Sequence, residues 1–274
     1  MTEKSIEVSW SGWSHPGKFR KNNEDAFLAL TFDSEEVRYL GKEGSTNLGE
    51  GDCVFAVSDG MGGANAGEFA SRIAVRKITE LMQSSFKLAA AGFQRGGHDF
   101  LEALFEQIHA EMRFQGSAYE ETKGMGATLT LCWVTPEKIF FAHVGDSRLY
   151  FLPSAGGIRQ ASTDHTHVAW LVKQGKITAS EARYHPRRNL LQQVLGGGQA
   201  TVTPQLGAIE YEPGDQLVLC SDGVTDGLSE RSIESLVRTP PPWLVDEVAA
   251  DRLIKEGIAA SGRDNLTAIV VELK

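Results

Sequence analysis

Three runs of apolar residues end where an aspartate stands beside a glycine, and this pattern constrains the fold more than any other feature. The runs VFAV and LVLC lead into Ser58-Asp59-Gly60 and Ser221-Asp222-Gly223, and the run IFFAHV leads into Gly145-Asp146-Ser147. A strand that stops at a sheet edge leaves its last side chains there, and glycine lets the backbone turn sharply and approach a ligand closely. The pattern therefore predicts three strands whose carboxylates converge on one point.

Two more acidic segments stand beside strand-like runs near the ends of the chain. Glu24 and Asp25 lead into AFLALTF, and Asp264 leads into NLTAIVVEL. A single Asp-Gly pair is more simply a turn. Several carboxylates at one point would repel one another, however, and hard divalent cations bind carboxylate and carbonyl oxygens. The combination predicts a shared metal site.

Arg20 stands four residues before Glu24 and could be an ordinary surface arginine. Beside a carboxylate–metal site a guanidinium suits a phosphate, because it can hold two phosphate oxygens at once. Two divalent ions about 4 Å apart also lower the pKa of a shared water and stabilise the oxygens of an in-line displacement. The chain has no phosphate-loop Gly-Lys-Ser/Thr and no arginine six residues after a cysteine. These absences disfavour nucleotide hydrolysis of the phosphate-loop kind and a cysteine-nucleophile phosphatase.

The composition excludes several classes of function. The 274 residues carry a formal net charge of −9, which is unsuited to nucleic acid or to an anionic membrane surface. Cys53, Cys132 and Cys220 lie in or beside apolar runs and are predicted to be reduced core residues. The N-terminus is too polar for a signal peptide, and no apolar run approaches the length of a membrane span. We therefore predict a cytoplasmic protein without nucleic-acid or membrane partners.

Hydrophobic periodicity predicts runs of strands separated by pairs of helices, which is typical of an α+β fold. Strands are expected at 5–13, 25–32, 52–58, 126–134, 138–144, 147–152, 202–211, 215–221 and 266–273. Helices are expected at 66–83, 99–115, 229–238 and 243–260, with short helical pieces within 164–185. The polar segment 33–51 is predicted to be a surface loop or an extended hairpin, and Gly196–Gly198 a flexible stop. Because the acids come from both ends and from the middle, we predict one domain.

Eight motifs, in order along nearly the whole chain, resemble one known family. They are RKNNEDAF, VFAVSDGMGGANAGEFAS, GMGATLTL, AHVGDSRLY, TDHTHV, HPRRNLLQQVLG, LVLCSDGVTDGL and GRDNLTAIVV. Together they resemble the PPM (type 2C) metal-dependent serine/threonine protein phosphatases in their bacterial form. The resemblance implies a single catalytic domain over 1–274 with a four-layer α/β/β/α sandwich, in which two antiparallel β-sheets are flanked by antiparallel helix pairs. It also implies a flap at about 164–195 beside the cleft.

The resemblance further implies a site for two Mn²⁺ or Mg²⁺ ions that are bridged by Asp59. Glu24 and the carbonyl of Gly60 would complete one ion, and Asp222 and Asp264 would complete the other. In the family, a hydroxide that bridges the ions attacks phosphorus directly, without a phosphoenzyme.

Three further residues receive roles from the same resemblance. Asp25 would hold metal-bound waters, Asp146 would hold a third, weaker ion together with Asp222, and Arg20 would bind the substrate phosphate. Met61 departs from the animal relatives, which place a histidine there as the proposed general acid. Bacterial relatives also carry methionine at this position, so the resemblance leaves the proton donor open.

The leading hypothesis is therefore a monomeric, stand-alone phosphatase for phosphoserine and phosphothreonine in proteins, with a serine/threonine kinase as its functional opponent. One alternative is a non-catalytic binding module that recognises a partner through the same surface. Another is a phosphatase with one regulatory protein, such as an anti-sigma-factor antagonist, as its substrate.

Overall fold

The computed structural model describes residues 6–33, 35–62, 66–90 and 96–274, without the side chains of residue 50 and of residues 83–90. Residue 5 of the predicted first strand and residues 63–65 of the second motif lie outside the described residues. No helix in this part of the chain is long and apolar enough to cross a membrane.

Most strands follow the predicted runs. The strands are β1 (Glu7–His15), β2 (Asp25–Phe32), β3 (Val37–Tyr39), β4 (Glu43–Asn47), β5 (Asp52–Met61), β6 (Gly126–Ala127), β7 (Leu129–Val134), β8 (Ile139–Val144), β9 (Arg148–Leu152), β10 (Arg159–Gln160), β11 (Leu195–Gly196), β12 (Gln205–Ile209), β13 (Gln216–Cys220) and β14 (Leu266–Leu273). However, β10 and β11 were not predicted, and the predicted strand at 126–134 is divided into β6 and β7.

The α-helices occupy the predicted regions and include one that the sequence did not indicate. They are α1 (Ala66–Ala90), α2 (Gly97–Ala118), α3 (His167–Lys173), α4 (Ala179–Tyr184), α5 (Asp222–Gly227), α6 (Glu230–Arg238) and α7 (Ala249–Ala260). Thr178 and Glu181 form a capping box at the start of α4.

The strands form two antiparallel sheets. The first has the order β10-β9-β13-β14-β1-β4, and the second has the order β11-β6-β5-β7-β8-β12, with β2 joined to β5 and β3 to β2. Apolar side chains between the sheets, such as Phe55, Leu219 and Ile269, form the central core. Successive side chains of a strand point to opposite faces of its sheet. Apolar residues at neighbouring positions therefore supply both the central core and a second apolar surface on the outer face of each sheet.

Helices cover both outer faces, which confirms the α+β four-layer sandwich. Ile73, Leu104 and Ile108 of α1 and α2 pack on the second sheet in one core. Val224, Ile233 and Ile254, from α5, α6 and α7, pack on the first sheet in another. The helix layer on the first sheet therefore contains three helices rather than the predicted pair.

The segment 33–51 is not a hairpin, because its two strands belong to different sheets. In it, β3 pairs with β2, and β4 pairs with β1. The segment thus passes over the edge of the sandwich. Trp10 holds it, since the indole Nε1–H donates to the carbonyl of Gly41 at 2.9 Å.

Three local details differ from the predictions. Asp222 follows the predicted strand, as expected, but it is also the first residue of α5, a helix that was not predicted. The predicted helix 243–260 is divided into a 3₁₀ turn at Pro242–Leu244 and α7. The predicted flexible stop is ordered: Gly196 lies in β11 and pairs with β6. Gly196, Gly197 and Gly198 have φ values of 72°, 59° and 75°, a left-handed run that glycine adopts without strain.

Asp52 is the first residue of β5, and Asp59 lies near the other end of the same strand. Substitution of Asp52 can show how much a buried carboxylate costs in stability. The Asp52 carboxylate accepts a hydrogen bond from Trp133 Nε1 at 2.8 Å, and burial raises the pKa of Asp52 to about 6. The pKa is higher in the folded chain than in the unfolded one, so the ionised carboxylate costs stability above pH 6 and this cost disappears as the pH falls. We expect Asp52→Asn to raise the free energy of unfolding by about 3 kcal/mol near pH 7.5 and by about 1 kcal/mol near pH 4.5.

Urea unfolding in EDTA at the two pH values measures this difference. Asp246, an exposed carboxylate, provides the control, since Asp246→Asn should change stability by less than about 0.5 kcal/mol at either pH. Equal stability of Asp52→Asn and the parent near pH 7.5 would show that the Asp52 carboxylate is not penalised by burial.

Candidate metal centre

The ends of the two sheets bring the predicted acids together. Asp25 on β2 lies directly opposite Asp59 on β5 in the antiparallel register. Asp146 lies in the turn between β8 and β9, Asp222 follows β13 after one residue, and Asp264 precedes β14. Antiparallel pairing places the end of one strand beside the start of the next, so residues far apart in sequence share one end of the sandwich.

These residues surround a cleft of about 410 Å³. Its lining includes all the predicted site residues except Asp25, namely Arg20, Glu24, Asp59, Gly60, Asp146, Asp222 and Asp264, together with Met61, Gly62, Thr128, Asn189 and Leu191. Asp25 lies beneath the cleft and is only 8% exposed. A larger cavity of about 610 Å³ lies between β3 and β4. Its lining contains a single carboxylate, that of Glu7, and none of the predicted site residues.

Burial and mutual repulsion make the acids costly to ionise without a cation. Desolvation, followed by the charges of neighbouring aspartates, raises the pKa of Asp59 and of Asp222 well above the usual range. Desolvation is also the main cause that raises the pKa of Asp146, to about 7, and the pKa of Glu24. A divalent cation would remove this penalty, because it offsets the repulsion that the protein itself leaves uncompensated.

One carboxylate oxygen of Asp25 lacks the hydrogen-bond partner that a buried oxygen normally has. Its Oδ2 accepts a hydrogen bond from Ser221 Oγ at 2.7 Å. Its Oδ1 is buried and has no hydrogen-bond partner among the described residues, which is rare for a carboxylate oxygen. Desolvation raises the pKa of Asp25 to about 6. An oxygen of this kind fits a water or a cation.

The carboxylates line one cleft but do not form a single compact cluster. No three His, Cys, Asp or Glu side chains of the described ranges lie close enough to one another to hold a single ion. Arg20 holds Asp264, with Nη2 2.7 Å from Oδ2. The donor set nonetheless fits Mn²⁺ or Mg²⁺, because it consists of carboxylate and carbonyl oxygens alone.

Gly60 and Gly67 let three chain segments meet beside Glu24. The N–H of Gly60 donates to the carbonyl of Glu24 at 3.1 Å, and a Cβ on Gly60 would collide with the carbonyl of Gly67. A Cβ on Gly67 would lie 2.8 Å from Glu24 Cδ. Gly67, at the start of α1, was missed in the sequence, although its place after the Ser-Asp-Gly motif was a usable signal.

Asn265 positions the loop that carries Arg20 and Glu24, and it was also missed. Its Oδ1 accepts from the N–H of Glu24 at 2.7 Å. Its Nδ2 donates to the carbonyls of Pro16 and Asn22, both at 3.0 Å. Asn265 is 4% exposed, so all three bonds are shielded from water. Its place directly after the predicted ligand Asp264 was the one signal in the sequence.

Thr128 connects the turn of Asp59 to the turn of Asp146. Its Oγ1 accepts from the N–H of Asp59 at 3.0 Å and lies 2.7 Å from Ser147 Oγ. Its own N–H donates to the carbonyl of Asp59 at 2.8 Å, and Ser58 Oγ donates to its carbonyl at 2.7 Å. The two acidic turns therefore share a buried polar support that sequence reasoning did not identify.

The predicted flap is fastened to the sandwich at both of its ends. Arg148 on β9 holds Asp164 through a bidentate pair, with Nη2–Oδ2 at 2.6 Å and Nε–Oδ1 at 2.9 Å, and Leu195 of β11 pairs with Ala127 of β6. Thr166 and Leu191 join the two ends of the flap to each other in an isolated antiparallel bridge. Asn189 and Leu191 then reach the cleft lining, so this part of the flap forms one wall of the site.

The four-layer sandwich, with a carboxylate-lined cleft at the end of its two sheets and an arginine at the mouth, defines a class of metal-dependent hydrolases. The chain belongs to the protein phosphatase 2C family, whose model matches residues 42–255.

Named relatives are similar over most or all of the chain. Serine/threonine protein phosphatase PstP of Mycobacterium tuberculosis is 31% identical over 100% of the chain, which spans only 46% of that relative's length. Protein phosphatase PhpP of Streptococcus pneumoniae is 30% identical, with 94% of each protein covered. The crystal structure of the PstP catalytic domain with two manganese ions has a TM-score of 0.74 at 28% identity, covering 98% of this chain and 99% of that one.

Proposed function

We propose that this chain is a metal-dependent phosphatase that hydrolyses phosphoserine and phosphothreonine in proteins. The observation that carries the proposal is a cleft in which Asp59, Asp146 and Asp222 face the same space as Arg20. The carboxylates offer ligands for divalent cations, and the guanidinium offers a planar pair of donors for a phosphate. The protein phosphatase relatives and the two manganese ions in PstP support the proposal.

Two Mn²⁺ or Mg²⁺ ions in the cleft would supply Lewis acidity and an activated water. We assign Asp59 to both ions, Glu24 and the carbonyl of Gly60 to one of them, and Asp222 and Asp264 to the other. The close contacts of Gly60 with the neighbouring backbone support the assignment of its carbonyl as a ligand, because they restrict the orientation of that carbonyl.

Asp146 and Asp25 have supporting roles. Asp146, with Asp222, is assigned to a third, weaker ion, and the mutual repulsion of their carboxylates supports this role. Asp25 Oδ1 is assigned as the acceptor for a water in the site, since this buried oxygen has no hydrogen-bond partner among the described residues.

Arg20 can hold Asp264 and a phosphate at the same time. A guanidinium has five N–H donors, and the ion pair with Asp264 uses Nη2. The side chain is 52% exposed, so its other donors face the mouth of the cleft. Met61, which lines the same mouth, has no proton to give, and the leaving alkoxide takes its proton from water.

The test is phosphate release from a phosphothreonine peptide in Mn²⁺ and in EDTA. We expect release only with Mn²⁺. Arg20→Ala should lower kcat/KM by about 10- to 100-fold, because hydrogen bonds to charged groups contribute about 1.5–3 kcal/mol. Arg20→Lys should recover part of the loss, since lysine keeps the charge but not the paired donors. Folded protein that binds Mn²⁺ and releases no phosphate would favour the binding module.

We further propose that residues 1–274 act as one catalytic domain, because the site takes ligands from its beginning, middle and end. The functional opponent would be a serine/threonine kinase, which supplies the phosphorylated substrates. The monomeric state and the cytoplasmic location stay predictions from the sequence.

A further inference from the structure

We propose that the mouth of the cleft selects phosphorylated segments with acidic side chains next to the phosphorylated residue. This inference rests on the proposed function, because it names the class of phosphopeptide that the site would accept. It follows from five basic side chains on two separate segments beside the cleft lining, here called the two rims, at Lys18, Lys21, Arg187, Arg188 and Arg263.

The first rim consists of residues 18–21 and Arg263, which the fold brings together. The N–H of Lys18 donates to the carbonyl of Gly262 at 2.8 Å, and the Arg20–Asp264 ion pair joins the same two segments. The aliphatic stem of Lys18 lies over Gly262, where an added Cβ would be 3.1 Å from its Cγ and Cδ. Lys18, Lys21 and Arg263 are exposed and lie within two residues of Arg20 or directly beside Asp264.

The second rim belongs to the flap. Arg187 and Arg188 are exposed and immediately precede Asn189, which lines the cleft. The N–H of Arg188 donates to the carbonyl of His185 at 3.1 Å, and the N–H of Leu190 donates to that of Arg187 at 3.2 Å. These turns hold the backbone of both arginines beside the cleft wall.

None of the five basic groups is neutralised by the described part of the protein. Among the described residues, no carboxylate lies within 4.0 Å of any of them, whereas some basic side chains elsewhere are paired, such as Arg72 with Glu68 and Lys255 with Asp251. The chain as a whole has a net charge of −9. Cations without an ion-pair partner therefore flank the cleft whose arginine we assign to the substrate phosphate.

An extended peptide fits this arrangement. Its backbone advances about 3.3 Å per residue and its side chains alternate in direction. With the phosphate at Arg20, the residues one to three positions away would lie across the mouth, within reach of long basic side chains on either rim. Acidic side chains there would gain attraction, and basic ones would meet repulsion.

Two phosphothreonine peptides of equal length test the proposal, one with glutamate and one with lysine at the flanking positions. In Mn²⁺ at low salt, kcat/KM should favour the glutamate peptide by about tenfold, and the preference should shrink at about 0.5 M NaCl, where screening is strong. The charge-reversed variant Lys21→Glu/Arg187→Glu/Arg188→Glu should prefer the lysine peptide. Arg38→Glu is the control, because Arg38 lies on β3, opposite the far end of β2, and the variant should keep the parent's preference.

Equal kcat/KM for the two peptides, or a preference for the lysine peptide, would overturn the inference while leaving the proposed phosphatase intact. A lysine preference is what the net negative charge of the chain would produce alone. Absence of release from both peptides would instead overturn the proposed function. In that case fluorescence anisotropy of the same labelled peptides decides the inference: tighter binding of the glutamate peptide supports it, and equal or reversed affinity refutes it.

Discussion

Asp222→Asn should abolish phosphate release and, at the same time, make the metal-free protein more stable. Burial and the charges of Asp146 and Asp264 raise the pKa of Asp222 well above its usual range, so its ionised form costs stability at neutral pH. Asparagine removes that charge and is expected to raise the free energy of unfolding in EDTA. It also removes a ligand charge, and turnover should fall by about 1,000-fold or more.

Thermal unfolding with EDTA and with Mn²⁺ separates the two effects. The parent should gain stability from Mn²⁺, since a ligand that binds only the folded state shifts unfolding, and Asp222→Asn should lose most of that gain. Asp226 is the matched control. It lies one helical turn further along α5 and is exposed, and its charge also raises the pKa of Asp222. Asp226→Asn should keep activity within about threefold, as most exposed substitutions do. Full activity of Asp222→Asn would refute its assignment as a ligand.

Gly60→Ala should destabilise the protein and disable the site together. The added Cβ would collide with the carbonyl of Gly67 and would lie 2.9 Å from that of Glu24. Both are backbone atoms, which cannot turn aside as a side chain can, so β5, the start of α1 and the Glu24 loop must move apart. We expect a loss of about 4 kcal/mol or more in the free energy of unfolding, together with loss of the Mn²⁺-induced stabilisation.

Urea unfolding with and without Mn²⁺ measures both parts of this prediction. Gly49→Ala is the control, because a Cβ there would meet nothing within 4 Å, and its stability should stay within about 0.5 kcal/mol of the parent. A fully stable Gly60→Ala protein with normal Mn²⁺ binding would mean that the close approach of these three segments is not needed.

Much of the fold could be predicted because its signals are local. Apolar runs indicated the strands, including β5 and β14, and helical periodicity indicated α1 and α2. The segment 33–51 could not be resolved in this way, since the pairing partners of β3 and β4 lie elsewhere in the chain. The helix α5, which begins at Asp222, was not predicted, because a six-residue helix is too short to show a period.

The supports of the site were harder to predict than its acids. Aspartates beside glycines at strand ends are visible in the sequence, and the family resemblance named their roles. Asn265 and Thr128 were not recognised, because one asparagine or threonine in an apolar segment looks like many others. Their importance comes from the bonds that they make to Glu24 and Asp59.

The sequence by itself determined which residue types are available: strands with two faces to bury, carboxylates at their ends, and glycines that permit close turns. Only the tertiary structure decided which of these residues meet. Arg20 and Asp264 are 244 positions apart, and Glu24 and Asn265 are 241 apart. Hydrogen bonds and ion pairs of this kind depend on sheet register and on the packing of two sheets. These are properties of the whole folded chain that no local spacing encodes.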